Sequence, residues 1–153
     1  MKVDILSESP EDEAAVRIIL DAILGRATES TGTKRNPPAG WGAVRQNLPP
    51  LMRAMHFNPA AAALVIVVDS DDSPIHSPEH DEPGSIAPRC RICLLRGDVK
   101  RIEQSLRPVA NRAPLQTAIG LAVPAIEAWL LAETILTRLK PTSCRTRRRG
   151  SLE

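Results

Sequence analysis

Acidic side chains stand at two places where a chain can gather oxygen ligands: Glu8, just after the apolar stretch ending at Leu6, and Asp69, Asp71 and Asp72, just after the run Leu64-Val65-Ile66-Val67-Val68. Residues i and i+2 of an extended segment point the same way, so Asp69 and Asp71 can face one ion together. Carboxylate oxygens are the ligands that Mg2+ and Mn2+ prefer, with water and substrate phosphates completing the shell. Such an ion polarises a phosphoryl group and orients the attacking oxygen. A plainer reading stands beside this one: Glu8 in a turn, and Asp69 to Asp72 as Asx-turn residues closing a strand. Glu127, near the start of the last expected helix, is either a further metal ligand or a favourable charge at a helix N-terminus.

A second set, His76, His80, Cys90 and Cys93, has the His-x3-His and Cys-x2-Cys spacing of zinc ligands. The expectation goes against zinc here. The cysteines open a segment that reads as a strand, where an i, i+3 pair points to opposite faces, and the histidines belong to a solvated loop. Lys34, Arg35, Arg45 and Arg53 read as surface residues first and substrate contacts second.

The elements that must position these groups alternate between strand and helix. Lys2 to Leu6 predicts a strand, and Ser9-Pro10-Glu11-Asp12 supplies a capping hydroxyl, a proline at the first helical position and acids against the positive helix end. Val16, Ile19, Leu20, Ile23 and Leu24 then lie on one helical face that stops at Gly25. Residues 26–40 predict a loop. Trp41 to Met55 predicts a helix interrupted or offset by Pro49 and Pro50. Leu64 to Val68 is the pattern of a parallel strand covered on both faces, and it stops at Asp69.

Ser70 to Pro88 predicts a long exposed loop, Arg91 to Arg96 a strand, Val99 to Leu106 a helix and Thr117 to Ala122 another strand. Pro124 opens a final helix with Ile126, Trp129, Leu130, Leu136 and Leu139 on its apolar face. The alternation predicts an α/β fold, a three-layer arrangement with a mostly parallel sheet and helices on both faces. In such sheets ligands bind beyond the carboxyl ends of the strands, where Glu8 and the aspartates fall.

The 153 residues suffice for one domain, expected over 1–139, with 42% hydrophobic and 25% charged residues as in globular proteins. There is no run of about 20 apolar residues to span a bilayer, and MKVDILSESPEDE lacks the long apolar stretch of a signal peptide; the expected location is the cytosol. The net charge of +2 conceals a basic tail, residues 140–153, expected to be disordered and to mark a truncated or altered C-terminus. Without that tail the body is mildly acidic, which argues against gripping nucleic acid by overall charge. Three cysteines suit reduced thiols rather than a disulfide framework. With two Trp, one Phe and no Tyr, a base-stacking platform of the single-strand-binding kind is poorly supported.

ILSESPEDEAAV resembles the first motif of TOPRIM-fold proteins, VIVVDSDD resembles their Asp-x-Asp motif, and IGLAVPAIEAWLLAE resembles a C-terminal segment of bacterial TOPRIM-like proteins related to the overcoming-lysogenisation-defect nucleases. The resemblance spans most of residues 2–139, with Ser9 where the family motif has glycine. It implies a Mg2+-dependent (or Mn2+-dependent) site in which Glu8 is the general acid/base or metal-binding glutamate and Asp69 and Asp71 are the metal-binding aspartates. It further implies phosphoryl transfer on nucleic acid, in phage or mobile-element defence. The competing expectation is a non-catalytic metal- or nucleic-acid-binding regulatory module of the same fold.

Overall fold

The computed structural model describes residues 1–126 and 128, apart from 38, 84 and 86. Strand β1 (Lys2–Leu6) leads to helix α1 (Pro10–Leu24), helix α2 (Gly40–Phe57) and strand β2 (Ala61–Asp69); helix α3 (Arg91–Ser105) and strand β3 (Gln116–Ala122) follow. The strands form one sheet in the order β1-β2-β3, and both pairings are parallel. The fold is therefore α/β, as the alternation predicts. Among the described residues no helix is long and apolar enough to cross a membrane.

The alternation of side chains along β2 gives the sheet two apolar faces. Leu64, Ile66 and Val68, with Leu6 of β1, pack against Val44, Leu48, Leu51, Met52 and Met55 of α2 and Leu95, Val99 and Ile102 of α3. Ile5 and Val67 face the other way, against Ala15 and Val16 of α1 and against Ala122 and Ile126. Burying each such aliphatic side chain stabilises the fold by about 1.5 to 3 kcal/mol before chain entropy is counted.

Helix α1 starts as its sequence predicts: the Asp12 N–H donates to Ser9 Oγ (3.1 Å), Pro10 occupies the first turn, and Gly25 closes the helix in the left-handed region at φ 62°. Its expected apolar face is only half covered. Val16 is buried, whereas Ile23 is 77% exposed. The reason is length: 15 helical residues span about 22 Å, while the five-residue strand β1 beside them spans about 16 Å.

Two expectations are overturned. Pro49 and Pro50 do not interrupt α2, which continues through both. Each internal proline costs about 3 kcal/mol, and the burial of Leu48, Leu51, Met52 and Met55 around them offsets that cost. Arg91 to Arg96 is not a strand; one helix runs from Arg91 to Ser105. Ile92, Leu95, Val99 and Ile102 are buried at helical spacing along it, and the adjacent apolar residues Ile92, Cys93, Leu94 and Leu95 conceal that period in the sequence.

The loop after α1 is tied to β1 instead of hanging free. The Val3 N–H donates to the Glu29 carbonyl (2.8 Å), and buried Asp4 accepts from Ser30 Oγ (2.7 Å), the Thr31 N–H (2.8 Å) and the Thr31 hydroxyl. The expected helix beyond Ala128, the domain boundary at 139/140 and the basic tail lie outside the described residues.

Candidate functional site

The register of the sheet brings the chain after β1 to the end of β2. Leu6 pairs with Ile66, and Asp69 pairs with Ala122. Buried Ser7 straps the chain down by donating from Oγ to the Val67 carbonyl (2.6 Å), so Glu8 arrives beside Asp69. The Gly40 N–H fixes the Glu8 backbone by donating to its carbonyl (2.8 Å). Gly40 takes φ 75°, the left-handed region that glycine enters without strain.

Arg91 joins the three segments. Its Nη1 donates to Glu8 Oε1 and to the Asp69 carbonyl, both at 2.7 Å, and its Nη2 donates to Asp71 Oδ2 at 2.8 Å. The guanidinium carbon lies 5.0 Å from the centre of the Trp41 ring, within cation–π range. The side chains of Arg91 and Glu8 are 14% and 13% exposed, whereas that of Asp71 is 55% exposed. The arrangement is thus a sheltered Glu–Arg pair with one solvent-facing aspartate at its rim.

Asp69 serves two directions. Its N–H donates to Glu8 Oε1 (3.1 Å), and its Oδ1 accepts the Ile126 N–H (3.0 Å), which anchors the chain after β3. Asp71 sits in the left-handed region at φ 39°, and Asp72 is exposed. The structure therefore brings Glu8, Asp69 and Asp71 to one edge of the sheet. Arg91 is the cation that Glu8 and Asp71 share there. Glu127 lies outside the described residues.

Burial raises the Glu8 carboxyl above its ordinary 4.5; Arg91 and the Asp69 N–H oppose this, and the charges of Asp71 and Asp69 add to it. A carboxyl so balanced exchanges a proton nearer neutrality than a free glutamate does, which suits general acid/base work. A raised pKa means the folded state holds the proton more tightly. The associated stability is complete below pH 4.5 and declines as pH rises through the elevated value. Glu8→Gln is expected to flatten, in part, the fall of urea midpoint as pH rises above 4.5. Glu13, raised by burial against Arg35, retains its own share, and an unchanged slope in the variant would contradict the assignment.

Of the basic residues, Lys34 and Arg53 are exposed as expected. Arg35 is not an ordinary surface residue: it pairs with Glu13 and donates to the Ile5 carbonyl (2.6 Å). Arg45 pairs with Asp98 (2.9 Å). Sequence reasoning missed Arg91 and Trp41 as members of the site. Arg91 stands 83 residues from Glu8, and no local pattern distinguishes it from the other arginines.

The cysteine and histidine set is also reversed. Cys90 is the N-cap of α3 and Cys93 lies in its first turn, where an i, i+3 pair shares a face instead of opposing. His76, His80, Cys90 and Cys93 each offer a ligand atom, and these atoms all lie within 4.8 Å of one another. Burial pushes the Cys90 thiol up; the hydrogen bonds from the Cys93 backbone, from the His76 and His80 rings and from the Cys93 thiol outweigh it and bring the group to about 6. Burial and the neighbouring Cys90 raise Cys93. Comparison with protein-family models, with curated proteins and with solved structures finds no match to this chain.

Proposed function

We propose that this chain is a three-layer, TOPRIM-like domain that carries out divalent-metal-dependent phosphoryl transfer on nucleic acid, a nuclease-like activity consistent with a role in phage or mobile-element defence. One observation carries the reading: Glu8, Asp71 and the backbone of Asp69, remote in sequence, meet Arg91 at the carboxyl edge of a parallel sheet, where ligands of such sheets bind.

The donor set is all oxygen and anionic, which fits Mg2+ or Mn2+ and not a soft metal. With Glu8 acting in proton transfer or, alternatively, as a bridging ligand, Asp69 and Asp71 would hold the ion. When bound, it polarises the phosphoryl group and lowers the pKa of an attacking water. Glu8, with its raised carboxyl, passes the proton between that water or the leaving oxygen and solvent. Arg91 neutralises the like charges of Glu8 and Asp71 in the resting state, and can exchange the exposed Asp71 for a phosphate oxygen, which a guanidinium binds in the same forked geometry. Trp41 flanks the guanidinium, its ring centre 5.0 Å from the guanidinium carbon.

A second reading, the non-catalytic module, rests on the same Arg91. Its ion pairs already satisfy Glu8 and Asp71, as they would in a purely structural knot. Calorimetry with Mg2+ and Mn2+ alongside cleavage assays on supercoiled plasmid and on single- and double-stranded DNA and RNA separates the two. Metal binding with cleavage that chelator abolishes is the expected outcome. Binding without turnover selects the module, and neither binding nor turnover removes the metal site altogether.

A further inference from the structure

We infer that His76, His80, Cys90 and Cys93 form a second metal centre, a tetrahedral Cys2His2 zinc site that pins the long Ser70–Cys90 segment to the start of α3. The site is separate in residues and in donor chemistry from the carboxylate edge, and it stands or falls independently of the proposed reaction.

The distances are those of ligands around one shared ion. His76 Nδ1 lies 3.6 Å from Cys90 Sγ and 3.5 Å from Cys93 Sγ. With zinc bonds of about 2.3 Å to sulfur and about 2.0 Å to nitrogen, tetrahedral geometry separates neighbouring S and N ligands by about 3.5 Å. The two imidazoles approach edge to face, with ring centroids 5.3 Å apart and planes at 75°, so they converge without stacking. His80 Nδ1 is shut off from solvent with no hydrogen-bond partner among the described residues, a cost that a native site normally relieves with a partner.

The surroundings are those of a held ligand. His76 turns Nδ1 to the thiols, and its Nε2 lies 3.2 Å from Asp81 Oδ2 and 3.1 Å from Arg96 Nη1, which also donates to the other oxygen of Asp81 (2.7 Å). A carboxylate behind the outer ring nitrogen is the usual support of a zinc-binding histidine. His80 lies within a one-turn 3-10 segment, Pro78–Asp81, and its N–H donates to the Ser77 carbonyl (3.0 Å). Cys90 and Cys93 stand at the positive end of α3, which favours thiolates. Binding releases to solvent whatever protons the two thiols still hold, and two thiolates neutralise the ion, so the partly buried site carries no net charge.

The position explains a use for it. Arg91 follows Cys90 directly, and its N–H donates to Ser73 Oγ (3.0 Å), so an ion at the cysteines fixes both the helix start and the loop that presents Asp71. The choice of zinc follows from the mixed sulfur and nitrogen set, which suits borderline-soft metals and not Mg2+.

The test is metal analysis of the full-length chain as isolated, with Co2+ replacement as the optical probe. About one zinc per chain is expected, and Co2+ should give thiolate-to-cobalt charge-transfer absorption with the intense visible bands of tetrahedral coordination. His80→Ala should lose the metal, and His80→Cys should retain it, because a thiolate can replace the imidazole; the rescue separates ligation from a folding defect. Asp69→Asn should keep both zinc and the cobalt spectrum. Absence of charge transfer on Co2+ addition to the zinc-stripped chain, or full zinc content in a Cys90→Ser, Cys93→Ser double variant, would overturn the proposal.

Discussion

Asp69→Asn is expected to abolish Mn2+-dependent nicking of supercoiled plasmid while leaving the fold intact. The two side chains have nearly the same shape, and the asparagine oxygen can still accept the Ile126 N–H that Asp69 Oδ1 holds at 3.0 Å. The Asp69 N–H to Glu8 and its carbonyl to Arg91 are backbone groups and persist. Only a negative charge is removed, and with it the strongest oxygen ligand for a hard cation. A loss of at least about 100-fold in rate with an unchanged thermal midpoint would be the signature of a lost transition-state interaction. Cleavage at the wild-type level would refute the metal assignment. Asp69→Ala is the poorer test because it also deprives the Ile126 N–H of its acceptor.

Arg91→Met should be the most destabilising single change at the site. It leaves Glu8, whose side chain is 13% exposed, without its cation, and removing one partner of a sheltered ion pair costs about 3 to 5 kcal/mol. The contribution of Asp71 to that loss is small, because its carboxylate is 55% exposed and solvent screens it. The sign of the pH dependence follows from the same pair. Arg91 lowers the Glu8 carboxyl against the burial that raises it, so its removal lets the folded pKa climb further. Stability is then retained in acid, where Glu8 is protonated, and lost more steeply as pH rises through the elevated Glu8 pKa. Urea titrations of both proteins at acid and mildly alkaline pH check this, and a deficit independent of pH would contradict it. Arg91→Lys should recover only part of the stability, since a single ammonium lacks the fork that reaches Glu8, the Asp69 carbonyl and Asp71 together.

Most of the strands and the first helix were legible in the sequence because their signals are local. The run Leu64 to Val68 is an unbroken apolar strand of the doubly covered kind, and Ser9-Pro10 with Gly25 delimits α1 through caps that need no distant partner. Glu8 and Asp69 fall at strand ends by chain position alone, so their arrival at one edge required only that β1 and β2 be parallel neighbours. The two proline residues in α2 and the helical state of Arg91 to Arg96 were not legible. In both, local preference is overridden by burial of side chains against partners far along the chain.

The helical state of α3 decides more than its own backbone. In an extended segment Cys90 and Cys93 point apart, and in a helical turn they share a side; the same two residues are unrelated thiols in one case and neighbouring ligands in the other. Arg91 likewise reaches Glu8 and Asp71 because α3 begins there. Residue types and spacing by themselves determined which atoms are available as ligands, acids and caps. Tertiary packing decided which of them meet, because the free energy that turns residues 91–105 into a helix comes from Leu95, Val99 and Ile102 burying against α2 and β2, and no stretch of the chain carries that information alone.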